Sequence, residues 1–110
     1  MIPRRGDLWW VALDPTLGSE IAKTRPCVVL GRDPVNEHRR TVVVIPLSTS
    51  ARAYPPISIQ VVCEDRPCVA VIDQIRAVSK ERLKERIGML TQKELAEIST
   101  ALKEVLDLEA

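Results

Sequence analysis

The sequence predicts a mainly β domain, a small barrel of five strands with α additions, finished by a C-terminal helix. Two observations carry that prediction. Through the first two thirds of the chain, Pro and Gly cut the sequence into short apolar runs rich in β-branched residues, each of strand length. Beyond Asp73 the apolar spacing changes from that of a strand to that of a helix. At 110 residues the chain is the size of one domain, residues 1–110, long enough to bury about two thirds of its unfolded surface.

The strands are expected at residues 8–13, 27–31, 41–47, 57–63 and 68–72, with Asp14-Pro15, Asp33-Pro34, Pro55-Pro56 and Arg66-Pro67 in the connections. Thr41-Val42-Val43-Val44-Ile45 is apolar on both faces, as a central strand requires, whereas Ile57-Ser58-Ile59-Gln60-Val61 alternates, as a half-exposed one does. Residues 79–86 read as a short polar helix with Ser79 as its N-cap. Thr91-Gln92-Lys93-Glu94 is a capping box, because the Thr91 hydroxyl can accept from the Glu94 amide while the Glu94 carboxylate reaches back to the Thr91 amide. Leu95, Ile98, Leu102, Val105 and Leu106 follow at spacings of three and four, forming one stripe to pack on the barrel or on a partner.

Composition bounds the function. Hydrophobic residues make up 45% and charged residues 28%, the balance of a globular domain. With only Trp9, Trp10 and Tyr54 aromatic and no Phe, the core must be aliphatic. No apolar run approaches the roughly 20 residues of a membrane span, and the N-terminus leads into no signal-like segment, so a cytoplasmic protein without a membrane partner is expected. A net charge of +1 argues against coating nucleic acid by bulk attraction. The charge is unevenly spread, however: up to Gln60 eight Lys or Arg, mostly Arg, stand against five acids, and from Val61 eight stand against ten. Guanidinium forks suit phosphate, so a local anion site is open to the first half.

Several chemistries lack their residues. Cys27, Cys63 and Cys68 are odd in number and read as reduced core residues. Four residues, Pro67 among them, separate Cys63 from Cys68, which is not zinc spacing, so no metal is expected. His38, the sole histidine, sits in a polar stretch, residues 36–40, that reads as a solvated loop remote from any nucleophile. There is no Gly-rich phosphate loop, and the carboxylates are scattered, which disfavours a nucleotide-binding enzyme or a metal-assisted nuclease; no cofactor is expected.

What remains are polar groups where strands end: Gly18-Ser19-Glu20 in the long loop of residues 14–24, Arg25 held extended by Pro26, Ser48-Thr49-Ser50 after the third strand, and Asp73-Gln74-Ile75-Arg76 after the fifth. Each has a plain alternative. Arg25 pairs with Asp73, Ser48 ends its strand by bonding its own backbone, and Glu20 is a solvated loop charge. Brought to one edge, they would make a site for an anion and for base edges.

The chain resembles the MazF/PemK/Kid family of toxins. The resemblance rests on Arg5-Gly6-Asp7-Leu8, Leu13-Asp14-Pro15, Gly18-Ser19-Glu20, Lys23-Thr24-Arg25-Pro26-Cys27-Val28-Val29, Val44-Ile45-Pro46-Leu47-Ser48 and Asp73-Gln74-Ile75-Arg76, in order along about a hundred residues. It implies an SH3-like, partly open barrel that forms a homodimer, and the toxin of a toxin–antitoxin system. The implied activity is metal-independent, sequence-specific cleavage of single-stranded RNA, often mRNA, neutralised by a cognate antitoxin whose disordered tail wraps the toxin. Carried over residue by residue, the catalytic Arg falls on Arg25 and its hydroxyl partner on Ser48, where many relatives have Thr. RNA-binding positions fall on Ser19, Glu20, Asp73 and Gln74, and Thr49 joins them from the hydroxyl cluster. Some relatives carry a catalytic Arg two residues before the Asp; here that position is Val71. The chemistry leaves Glu20 as the expected base. The competing reading is a small barrel that binds nucleic acid or protein, as a gyrase poison does, without cutting; it has no need of Arg25, Ser48 and Glu20 together.

Overall fold

The structure, a computed structural model, describes residues 2–108. Its centre is a curled seven-stranded antiparallel sheet. β1 (Asp7–Ala12) and β2 (Thr24–Val29) form the first hairpin, and β3 (Thr41–Ser48) lies along β2 with Cys27 opposite Pro46 and Val29 opposite Val44. The central placement read for β3 holds, for it is the strand on which the sheet turns, but Thr41 and Val43 are exposed and burial on both faces begins only at Val44. One edge takes β2; the other takes β6 (Arg76–Ser79) along Thr41–Val44 and β5 (Arg66–Val71) at Leu47 and Ser48. A 3-10 turn over Ile72–Gln74 carries the chain from β5 to β6 across the middle of β3. β4 (Ser58–Cys63) pairs with β5 at one end of the sheet and β7 (Leu83–Met89) with β1 at the other.

The curl gives the sheet two cores. Inside it, Trp9, Val11, Cys27, Val44, Val78 and Leu83 close a half-barrel of β1, β2, β3, β6 and β7. On the other face, Val28, Ile45, Leu47 and Ile72 meet α2 (Gln92–Val105) through Leu95 and Ile98. The predicted capping box is present in both directions: Glu94 N donates to Thr91 Oγ1 at 3.1 Å and Thr91 N to Glu94 Oε1 at 2.9 Å. Of the predicted stripe, Leu95 and Ile98 are buried and Leu102 and Val105 pack against them, but Leu106 caps the helix and is half exposed. All three cysteines are buried free thiols, as expected.

Three expectations need correction. Five strands become seven, because β6 and β7 lie in a stretch with too few apolar residues to announce them. The expected polar helix of residues 79–86 is a single 3-10 turn, Lys80–Arg82, whose N-cap is indeed Ser79, accepting from Glu81 N; after it the chain enters β7. Leu83 is buried opposite Val11 while Lys84, Glu85 and Arg86 stay in water, the charged profile of a sheet edge that resists further pairing. The expected loop around His38 holds a short helix, α1 (Asp33–His38), with Pro34 in its first turn; His38 is exposed at its end.

Candidate active site

The loop between β1 and β2 is built so that its tip is self-supporting. Its stem is pinned by Leu13 N donating to Lys23 O at 2.8 Å and Lys23 N donating to Asp14 Oδ1 at 3.0 Å. At the tip, Gly18 turns the chain with a φ of 57°, a conformation glycine adopts without penalty, and Glu20 Oε1 accepts from Leu17 N at 2.7 Å. One carboxylate oxygen of Glu20 is thereby used, and the other is left to the surroundings. Two groups tie this loop to the segment after β5. Gln74 Oε1 accepts from Ile21 N at 2.7 Å, and Arg76 Nη1 donates to Leu13 O at 3.3 Å.

Between loop and turn lies a cleft of about 290 Å³ lined by Ser19, Glu20, Pro46, Asp73, Gln74 and Arg76, among others. Four of the seven predicted site residues are brought together here. Pro46 links the cleft to Arg25 and Ser48. The β2–β3 pairing ends at Cys27–Pro46; because the two strands run antiparallel, Arg25 at the start of β2 and Ser48 at the end of β3 each lie two residues beyond that pair, at the same end of the ladder, and strand alternation puts both on the face that carries Cys27 and Pro46. A second cleft, also of about 290 Å³, opens at Ser48 and Thr49 and is flanked by Arg52, Gln60 and Cys68. The predicted residues thus sort along β3, with one cleft meeting it at Pro46 and the other at Ser48.

Arg25 is exposed, and among the described residues its side chain makes one hydrogen bond, Nε to Ala22 O at 3.3 Å. Its Nη groups are available to an anion. The plain alternative, a pair with Asp73, is absent: among the described residues the one ion pair joins Arg86 to Asp7. For Ser48 the plain alternative does describe the resting contacts, since its Oγ accepts from Ser50 N at 3.2 Å and Ala51 N at 3.1 Å. Its hydroxyl also lies 3.3 Å from Ser50 Oγ, where either group can donate, so the proton Ser48 would offer an anion is shared at rest only with an exposed neighbouring hydroxyl.

Charge and burial separate participants from bystanders. Burial pushes the Cys27 thiol up to about 12 against the opposing pull of Arg76, so it is a neutral core group and no nucleophile. His38 ends α1, just before the Thr41 end of β3, whereas Ser48 is at the other end of that strand, seven residues and roughly 23 Å from Thr41 at strand rise. A cleft of about 620 Å³ runs between Pro55, Pro56, Ile59 and α2; it is mostly apolar, and the charges that line it, Lys93 against Glu97 and Glu104, are net negative, which does not suit a polyanion. No group of three or more His, Cys, Asp or Glu among the described residues could hold a metal ion. Sequence reasoning left Arg52 and Gln60 out of the site, and it placed Arg76 in the candidate group Asp73-Gln74-Ile75-Arg76 without giving it a role. Gln60 announced only an outward position by its alternation.

Residues 4–106 match the family model described as PemK-like, MazF-like toxin of type II toxin-antitoxin system. The chain is 38% identical over 114 residues to Endoribonuclease MazF9 of Mycobacterium tuberculosis, covering 96% of this chain and 97% of that protein. It is 32% identical over 104 residues to Endoribonuclease MazF of Staphylococcus epidermidis, covering 90% and 87%. Among solved structures it superposes on MazF from Deinococcus radiodurans with a TM-score of 0.87 at 24% identity, covering 97% of this chain and 98% of that one. An endoribonuclease in complex with its cognate antitoxin from a mycobacterial species gives 0.82 at 24% identity, with 98% of each chain covered. These solved structures share the fold.

Proposed function

The chain belongs to the PemK-like, MazF-like toxins of type II toxin–antitoxin systems, and from that premise we propose how its residues act on RNA. It is an endoribonuclease, and its partners are single-stranded RNA, a cognate antitoxin and a second copy of itself. Residues 1–110 act as one toxin domain, a reading supported by the family match across residues 4–106. No helix among the described residues is long and apolar enough to cross a membrane. The cytoplasm, where its substrate is found, is the compartment we assign.

The observation that carries the mechanism is an exposed guanidinium at the start of β2 and a hydroxyl at the end of the adjoining antiparallel β3, with a carboxylate in the cleft that meets β3 at Pro46. RNA carries its own nucleophile. Glu20 takes the proton of a 2′-hydroxyl through the oxygen not bound to Leu17; the 2′-oxygen forms a bond to the adjacent phosphorus, and the P–O5′ bond breaks. The leaving O5′ takes a proton from water, so the products are a 2′,3′-cyclic phosphate and a 5′-hydroxyl. Nothing in this scheme calls for a metal or a cofactor. Arg25 meets the charge that grows on the non-bridging oxygens, an effect of roughly 3 kcal/mol for one well-aimed donor. Ser48 donates its proton to the same phosphate and orients it. Ser19, Thr49, Asp73 and Gln74 bind the flanking nucleotides, whose unstacked base edges are where sequence in RNA is read.

The base assignment is tested by the pH dependence of cleavage. Glu20→Gln should remove the acidic limb of the pH–rate profile; a profile with that limb intact overturns Glu20 as the base. Binding without cleavage is not favoured, since both curated relatives are named endoribonucleases.

A further inference from the structure

Gln74 is tied to the loop opposite it in a way that fixes more than the loop. The backbone N–H of Ile21 can only donate, so the atom 2.7 Å from it must be the side-chain carbonyl oxygen of Gln74, which sets the orientation of the amide. Among the described residues this is the one side-chain hydrogen bond that reaches the 17–22 segment from outside the β1–β2 region; the contact at Leu17 is internal to the loop. Two consecutive residues then connect Gln74 to both reactive groups. Ile21 follows Glu20 directly, so holding the Ile21 amide holds the peptide from which the Glu20 carboxylate hangs. Ala22 comes next, and its carbonyl accepts from Arg25 Nε at 3.3 Å, which sets the direction of the guanidinium.

We propose that Gln74 is a positioning residue for the cleavage reaction, acting through the Ile21–Ala22 backbone to aim the Glu20 carboxylate and the Arg25 guanidinium at one phosphate. The proposal rests on the reading of Glu20 and Arg25 as the reacting groups and deepens it. Its amide is divided in use: Oε1 holds the loop, while Nε2, which has no partner among the described residues, stays free for RNA. Displacing a catalytic group by about 1 Å can slow an enzyme by about 100-fold, so one hydrogen bond at this position reaches the chemistry without touching substrate.

The experiment compares the full-length wild type with Gln74→Leu, Gln74→Glu and Arg25→Ala. It reads amide exchange at Ile21 by NMR and kcat and KM for a short single-stranded RNA. Gln74→Leu removes both the acceptor and the free Nε2 at similar volume: Ile21 exchange should quicken by at least tenfold and kcat should fall by about 10- to 100-fold, beside a rise in KM from the lost RNA contact of Nε2. Gln74→Glu keeps an oxygen in reach of Ile21 and so should restore Ile21 protection and bring kcat to within about threefold of wild type, while its added negative charge raises KM for the polyanion. Unchanged exchange at Val28 and Ile45 in the sheet shows that each variant is folded. Ile21 exchange or kcat unmoved in Gln74→Leu overturns the proposal, as does an equal loss of kcat in the Leu and Glu variants, which would assign the effect to Nε2, or a loss confined to KM. Full cleavage by Arg25→Ala would instead overturn the site reading, whatever Ile21 does.

Discussion

Asp7 is a carboxylate that the fold uses and the chemistry does not. It is 3% exposed at the start of β1, and its oxygens accept from Arg4 N at 2.9 Å, from the buried indole Nε1 of Trp9 at 3.3 Å and from Arg86 Nε at 3.2 Å. Replacing it with Ala strands these donors unequally. The Trp9 indole, locked in the half-barrel core, loses its partner for about 1–3 kcal/mol, the Arg4 amide for about 1 kcal/mol, and the half-exposed Arg86 head, which water can solvate, for less than about 1 kcal/mol. Asp7→Ala should therefore destabilise the protein by about 2–5 kcal/mol, Asp7→Asn, which keeps one acceptor, by about 1–2 kcal/mol, and Arg86→Ala by less than about 1 kcal/mol. Urea unfolding at one fixed protein concentration reads this directly. With a slope of about 1.5 kcal/mol per molar, the Asp7→Ala midpoint falls by about 2 M. A loss under about 1 kcal/mol for Asp7→Ala, or a larger one for Arg86→Ala, would refute the reasoning, because it would mean the buried indole does not depend on the carboxylate.

Three further outcomes follow from the geometry. Ser48→Thr, which keeps the hydroxyl, should cleave RNA at a rate within a few-fold of wild type, whereas Ser48→Ala should lose at least about tenfold in a single-turnover assay. Burial pulls the Glu94 carboxyl up, but hydrogen bonds from Thr91 N, from Val62 N at 2.7 Å and from the Thr91 hydroxyl outweigh it and hold the group below its ordinary value of 4.5. The folded state thus binds this proton less readily than the unfolded one, so the stabilisation is complete above that value and is lost as pH falls through the lower folded one; melting of Glu94→Gln and wild type should differ at pH 7 and converge on acidification. Burial holds Cys27 at about 12 and, with neighbouring Cys68 and Glu64, pushes Cys63 up to about 11, so native protein at pH 7 should react with a thiol reagent only slowly, and fully once unfolded.

How much of this was legible in the sequence follows from the range of the forces involved. The capping box of α2 was readable because both partners lie within one turn, and β3 because its apolar run has no polar face to confuse it. β7 was not, since Leu83 and Ile87 are its only inward aliphatics among charged neighbours and its strand character comes from pairing with β1, which is distant in sequence. α1 escaped because six residues without a side-chain cap make too weak a local signal. At the site, residue type and position at strand ends nominated Arg25, Ser48, Glu20 and Asp73, and the family resemblance assigned their roles. Which alternatives the resting structure satisfies was a tertiary matter: Arg25 has no carboxylate partner, while Ser48 does bond its own turn. The Gln74 contact joins residues 53 apart and depends on which amide atom faces a backbone N–H, which no one-dimensional pattern encodes.

The central claim is that Arg25 stabilises the charge of an internal transesterification of RNA. The most direct measurement incubates wild type and Arg25→Ala with a long single-stranded RNA in excess EDTA, follows one turnover and identifies the new ends chemically. The account predicts discrete fragments with 5′-hydroxyl and 2′,3′-cyclic phosphate ends from wild type, and a rate lower by about 100- to 1,000-fold from Arg25→Ala. Fragments bearing 5′-phosphates, or an Arg25→Ala variant that cuts as fast as wild type, would contradict it.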